Sequence, residues 1–198
     1  MLHGRGAGPE NILDLVPALD RGECAYLAPA AAGRTWYPNS FLAPREQNEP
    51  WLSSALRLIA STIDRVVTSG INRDRIVLLG FSQGACLASE FAYQNPGWYG
   101  GLILFSGGVI GPPGTTWPVG GAEAGGKTPL DRTPTFFGCS DVDAHVPKWR
   151  VDESAALFTR MGARVTERIY PGMGHLVNDD EIREARKVLD DVLSGESR

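Results

Sequence analysis

Leu78-Leu79-Gly80-Phe81-Ser82-Gln83-Gly84-Ala85 is the stretch on which the reading of this 198-residue chain turns. The run leading into it, Arg75-Ile76-Val77-Leu78-Leu79, is short and apolar, as a strand buried on both faces is. The segment from Ser82 to Asn95 reads as a helix stopped by Pro96. A G-x-S-x-G motif between strand and helix predicts a sharp turn that forces its serine into a strained backbone conformation. Only small residues two positions to either side escape collision there, which accounts for Gly80 and Gly84. Ser82 is then held clear of the sheet at a helix N-terminus, where free N–H groups and the helix dipole favour developing negative charge.

Outward from this turn, short β-rich runs alternate with longer helical patterns. The runs are 24–28, 75–79, 101–105 and 135–139, with 164–170 as a fifth that alternates more. Trp51 to Val67 carries apolar residues at a period close to 3.6, Val151 to Met161 reads as a helix ended by Gly162, and Asn178 to Leu193 as another. The last opens with Asn178 and, three positions on, Glu181, the spacing of a capping box. The alternation predicts a single α/β domain over residues 1–198, a mostly parallel central sheet with helices on both faces. Residues 107–134, rich in Gly and Pro and without periodicity, are expected to form an excursion near the site.

A serine needs a base to take its proton and a third group to orient that base. His175, in Tyr170-Pro171-Gly172-Met173-Gly174-His175, follows the last strand and comes last in the order Ser, acid, His. His145 competes less well, because it sits beside the expected acid. Two carboxylates, Asp141 and Asp143, follow the strand run 135–139, at the strand end where sites of such sheets gather. Asp143 is favoured because Pro147 stiffens the loop after it, and Asp141 stays open.

For the oxyanion, the expected donors are the backbone N–H groups of Gln83, at the helix start, and of Arg5, in the glycine-rich Leu2-His3-Gly4-Arg5-Gly6-Ala7. Aromatic residues concentrate in the loop Arg34 to Leu42, so Trp36, Tyr37 and Phe41 are expected to line an acyl pocket, with Met173, Leu176 and Trp117 as further candidates.

Composition narrows the partner. A net charge of -4 with no Lys or Arg cluster argues against a nucleic-acid surface or an anionic membrane surface, leaving a small molecule. No run reaches the roughly 18 apolar residues that a spanning helix needs. The first residues lack the basic stretch and apolar region of a secretory signal, and Cys24, Cys86 and Cys139 show neither CxxC spacing nor a disulfide framework. A cytoplasmic protein with reduced thiols is expected, with neither metal nor organic cofactor.

Taken together, L-H-G-R-G-A at 2–7, G-F-S-Q-G-A at 80–85, D-x-x-V-P at 143–147 and G-x-G-H at 172–175 resemble the carboxylesterase/phospholipase family of α/β-hydrolases that includes acyl-protein thioesterases. The resemblance covers most of the chain. It implies an α/β-hydrolase fold, a Ser82-His175-Asp143 triad and an acyl-enzyme intermediate. The family's acid falls on Asp143 in an ungapped match, although Ala144 stands where Pro is usual and Ser140 where Gly is. A carboxylesterase is expected, with an acyl thioesterase or a noncatalytic binding protein on the same fold as alternatives. The resemblance also places a full strand before Leu2-His3-Gly4, of which only Met1 and Leu2 are present. With the sheet so truncated, its neighbours 24–28 and 75–79 would lie about 9.6 Å apart and could not pair.

Overall fold

The computed structural model describes residues 1–97, 99–119 and 128–195. Among these, β1 (Val77–Phe81), β2 (Gly101–Phe105), β3 (Pro134–Ser140) and β4 (Arg164–Tyr170) form one sheet in the order β1-β2-β3-β4, parallel throughout. The helices are α1 (Pro9–Leu13), α2 (Val16–Leu19), α3 (Trp51–Thr68), α4 (Gln83–Gln94), α5 (Lys148–Arg160) and α6 (Asp179–Ser194). Helices α4 and α5 connect successive parallel strands, as parallel pairing demands.

Strand β2 shows why its sequence is apolar at every position. Leu102 and Leu104 join the core shared with α3, α4 and α5, while Ile103 and Phe105 join a second core with Leu19 of α2 and Ile182, Val188 and Leu189 of α6. Phe137 of β3 meets Phe158 of α5 edge to face at 5.4 Å, tying sheet to helix. Strand β4 lies at the sheet's edge and is mostly exposed.

The run 24–28 is not a strand, a correction to its reading from apolar composition. Between it and β1 lie Leu2, which makes one parallel bridge to Gly80, and Met1, whose backbone nitrogen donates to Leu27 O (2.7 Å). An extended segment with no ladder beside it has no strand to join. Between it and the start of β1 lies a cleft of about 540 Å³, lined by side chains including Tyr26, Leu27, Ile63 and Leu78. The two short helices α1 and α2 are too brief for periodicity to reveal. Helix α5 begins three residues earlier than Val151, with Pro147 at its N-cap.

Residues 107–111 of the expected excursion are buried rather than draped over the surface. Arg150 of α5, fully buried, donates to Val109 O (3.1 Å) and Pro112 O (3.2 Å), its guanidinium between the rings of Trp117 and Trp149. Ile110 N–H donates to Glu90 (3.1 Å) and Gly111 N–H to Phe41 O (2.8 Å). Residues 120–127 of the excursion lie outside the described residues.

The capping box of α6 forms as its spacing predicts: Asn178 Oδ1 accepts from the N–H groups of Asp180 (2.8 Å) and Glu181 (2.9 Å), and Glu181 Oε2 accepts from Asn178 N–H (2.9 Å). Glu181 has a second role, because its side chain is buried against Gly138 of β3 and its Oε1 has no partner. Burial, aided by the neighbouring Asp180 and Asp143 carboxylates, raises its pKa from the ordinary 4.5 to about 7, against the pull of the Asn178 N–H.

Two consequences are measurable. Phe158→Ala removes a fully buried ring and should lower the unfolding free energy by about 3–5 kcal/mol in urea denaturation. For Glu181, the folded state binds the proton more tightly than the unfolded one. Its contribution to stability is therefore fully present below pH 4.5 and lost as pH rises through about 7. Glu181→Gln, which keeps the capping geometry, should gain stability over wild type between pH 5 and 8, with no such gain at pH 4.5.

Candidate active site

Ser82 occupies the turn between β1 and α4 with φ 54° and ψ -121°, a conformation rarely tolerated by a residue with a side chain. The packing around it explains why it persists. A Cβ on Gly80 would stand 2.5 Å from the backbone of Gly84, and one on Gly84 would stand 2.1 Å from Leu2 O. Ser82 N–H is anchored to Phe105 O at the end of β2 (2.9 Å).

His175 comes from the loop between β4 and α6. Its Nε2 lies 2.9 Å from Ser82 Oγ and its Nδ1 lies 2.6 Å from Asp143 Oδ2. Asp143 Oδ1 accepts from the N–H groups of His145 (2.8 Å) and Val146 (2.9 Å), and the buried Cys139 thiol lies 3.8 Å from Oδ2. Burial pushes the Asp143 carboxyl upward, but the bonds from His175, Val146 and His145 outweigh it, so its pKa is lowered and the carboxylate form is kept. Because Asp143 is an acceptor, Nδ1 carries the ring proton and Nε2 is left to accept from Ser82.

Asp141 points elsewhere: it accepts from Gly172 N–H (2.8 Å), while Ser140 Oγ accepts from Gly174 N–H (3.1 Å). Those two bonds fasten the His175 loop to the end of β3. His145 is not bonded to Ser82; its ring packs against that of His175 with centroids 4.7 Å apart, and Phe81 packs on His175 at 4.9 Å. Neither contact is visible in the sequence, since Phe81 fills a free position of G-x-S-x-G and His145 is far along the chain from its partner.

The loop of residues 3–6 lies against Ser82, with Gly4 so close that a Cβ there would be 3.5 Å from Ser82 Cβ. Gly6 N–H donates to Arg34 O (2.8 Å) and Ala7 N–H to Gly4 O (3.3 Å), whereas Arg5 N–H has no internal acceptor among the described residues. His3 is buried, stacked on Trp36 at 4.7 Å, and bonded by Nδ1 to Gly4 O (2.8 Å) and by Nε2 to Ala31 N–H (3.1 Å).

The aromatic loop corrects the expected pocket. Trp36 (3% exposed), Tyr37 (1%) and Phe41 (7%) are core residues with almost no surface to offer a substrate. The loop's buried backbone is satisfied from outside the loop, Trp36 N–H and Tyr37 O by the Gln83 side chain and Asn39 N–H by Asn48 Oδ1, so its rings can turn inward. Met173 is half-buried with its sulfur against Asn178 Nδ2 (2.7 Å), at the α6 cap. Leu176, beside His175, is 47% exposed and remains at the rim. Among the described residues no group of three or more His, Cys, Asp or Glu is placed to hold a metal ion, and no helix is long and apolar enough to cross a membrane.

Comparison with known proteins adds to this geometry. A family model described as Phospholipase/Carboxylesterase matches residues 2–193. The crystal structure of a phospholipase/carboxylesterase from Dyadobacter fermentans superposes with a TM-score of 0.86 at 39% identity, covering 98% of this chain and 88% of that one. The Arabidopsis thaliana SOBER1 structure shares the fold with a TM-score of 0.76 at 20% identity over 97% of this chain and 96% of that one. Acyl-protein thioesterase 1 of Eremothecium gossypii is 29% identical over 173 residues, 84% of this chain but only 65% of that protein's own length.

Proposed function

The chain belongs to the phospholipase/carboxylesterase family of α/β-hydrolases, and from that premise we propose that it hydrolyses carboxylic esters of small molecules through an acyl-enzyme on Ser82. The observation that carries this reading is the continuous hydrogen-bonded line from Ser82 Oγ through His175 (2.9 Å) to Asp143 (2.6 Å), at a strained strand-to-helix turn.

In the first half-reaction His175 Nε2 takes the Ser82 proton as Oγ attacks the ester carbonyl carbon. Negative charge moves onto the carbonyl oxygen, where the backbone N–H groups of Gln83 and Arg5 receive it. His175 returns its proton to the departing alkoxide, leaving an ester of Ser82. In the second half-reaction His175 deprotonates a water that attacks the acyl carbon, the tetrahedral species collapses, and Ser82 regains its proton as the carboxylic acid leaves. Asp143 stays ionised throughout and stabilises the imidazolium of each transition state. This scheme requires neither metal nor organic cofactor.

A thioester is the second substrate class worth testing, because relatives from Eremothecium gossypii and Saccharomyces cerevisiae are named acyl-protein thioesterase 1. The triad alone does not choose between oxygen and sulfur leaving groups. We place the protein in the cytoplasm, a reading supported by its three free thiols at Cys24, Cys86 and Cys139.

A fluorophosphonate probe should add once to the wild-type protein and not to Ser82→Ala, as read by intact mass. A p-nitrophenyl ester series and matched thioesters then rank chain length and leaving group. Asp143→Asn should lower kcat by about 10³–10⁴-fold without loss of fold. Normal ester turnover by Ser82→Ala would sink the mechanism, and a folded wild-type protein that takes no label would favour a noncatalytic binding role.

A further inference from the structure

The side chain of Gln83 has no part in the acyl transfer, which uses only its backbone N–H, yet it is 6% exposed at the centre of the site. Both ends of its amide are bonded to two consecutive residues of the aromatic loop. Oε1 accepts from Trp36 N–H (3.0 Å) and Nε2 donates to Tyr37 O (2.7 Å). The same loop is bonded to the segment that carries Arg5. Arg34 O accepts from Gly6 N–H (2.8 Å), Trp36 Nε1 donates to His3 O (2.8 Å), and the Arg5 guanidinium donates to Pro38 O (2.8 Å) and Asn39 O (2.6 Å). Residues 34–39 thus form a bracket with one arm on the nucleophile turn and the other on the Arg5 loop.

From this network we infer that the Gln83 side-chain amide is a positioning residue for the oxyanion hole: through residues 34–39 it fixes the separation of the Gln83 and Arg5 backbone N–H groups. The inference rests on the acyl-transfer reading above. The two donors belong to segments far apart in sequence, and the tetrahedral oxygen tolerates errors of only about 0.5 Å in their placement. Buried polar groups that satisfy one another in full rigidify what they join, whereas a half-satisfied network loosens it. A donor that drifts weakens an interaction made mainly in the transition state, so the loss falls on kcat rather than on KM. This also accounts for the burial of Trp36 and Tyr37, whose rings hold the bracket down on the core.

The test is Gln83→Glu, which keeps the size and the acceptor for Trp36 N–H but sets an oxygen against Tyr37 O. Arg5→Gln provides a second variant at an exposed position, where it removes the guanidinium arm and keeps the backbone N–H. Kinetics on a p-nitrophenyl ester are paired with inhibition by an alkyl trifluoromethyl ketone, whose serine adduct places an oxyanion in the same hole. Expected for Gln83→Glu is a fall in kcat of about 10–10²-fold, with KM within about threefold and the ketone inhibition constant rising in step. Arg5→Gln should shift both quantities in the same direction by a smaller factor. A fall in kcat with ketone affinity unchanged in either folded variant, or wild-type kinetics in both, would overturn the inference while leaving fluorophosphonate labelling of Ser82 intact. Loss of labelling in the wild-type protein would instead remove the acyl-transfer reading and this inference together.

Discussion

The contact on which this structure depends is the approach of backbone to backbone at Gly80 and Gly84. No side chain fits at either position: a Cβ would stand 2.5 Å from Gly84 on one side and 2.1 Å from Leu2 O on the other. That closeness brings α4 down onto β1 so tightly that Ser82 must take up a positive φ, and it brings the segment of residues 2–5 into contact with the same turn. Strain of this kind survives only where surrounding structure over-determines it. Here it is over-determined three times: by the anchor from Ser82 N–H to Phe105 O, by the packing of α4 residues in the core, and by the loop of residues 3–6 above.

The remaining parts of the site are placed by loops at the C-terminal ends of β3 and β4, and the second of these loops is fastened to the end of β3. Asp141 and Ser140 hold the backbone of Gly172 and Gly174, so the histidine loop is carried by the acid loop. Asp143 is itself held by two backbone N–H groups from the turn after it. Aspartate and serine are suited to such work, since their short side chains bond readily to nearby backbone. Sequence neighbours of Asp143 and His175 therefore serve as mechanical parts of the site.

Much of this is readable in the sequence, and the reasons for success and failure are physical. The elbow, the strands β1 to β3 and the capping box of α6 are legible because each rests on local rules: burial on both faces, small residues at a tight turn, and a fixed spacing between Asn178 and Glu181. The aromatic loop misleads because clustered rings look alike whether they line a pocket or fill a core. What decides the matter is the side chain of Gln83, almost fifty residues away, satisfying the loop's backbone. The run 24–28 misleads for a related reason, since its composition suits a strand and only the absence of a ladder beside it rules one out. Long-range pairings of this sort leave no mark on periodicity.

The anchor on Ser82 has a counterpart one strand further on. Ser106, which also has a positive φ, donates its N–H to Gly138 O (2.7 Å), just as Ser82 donates to Phe105 O. Each strand's exit residue is thus pinned by the strand that comes next in the chain. The backbone conformation of Ser82 is therefore a property of the sheet and not of the turn alone: β2 holds the exit of β1, and β3 holds the exit of β2. A change that loosened the C-terminal end of β2 would be felt at Ser82 although it touched neither His175 nor Asp143.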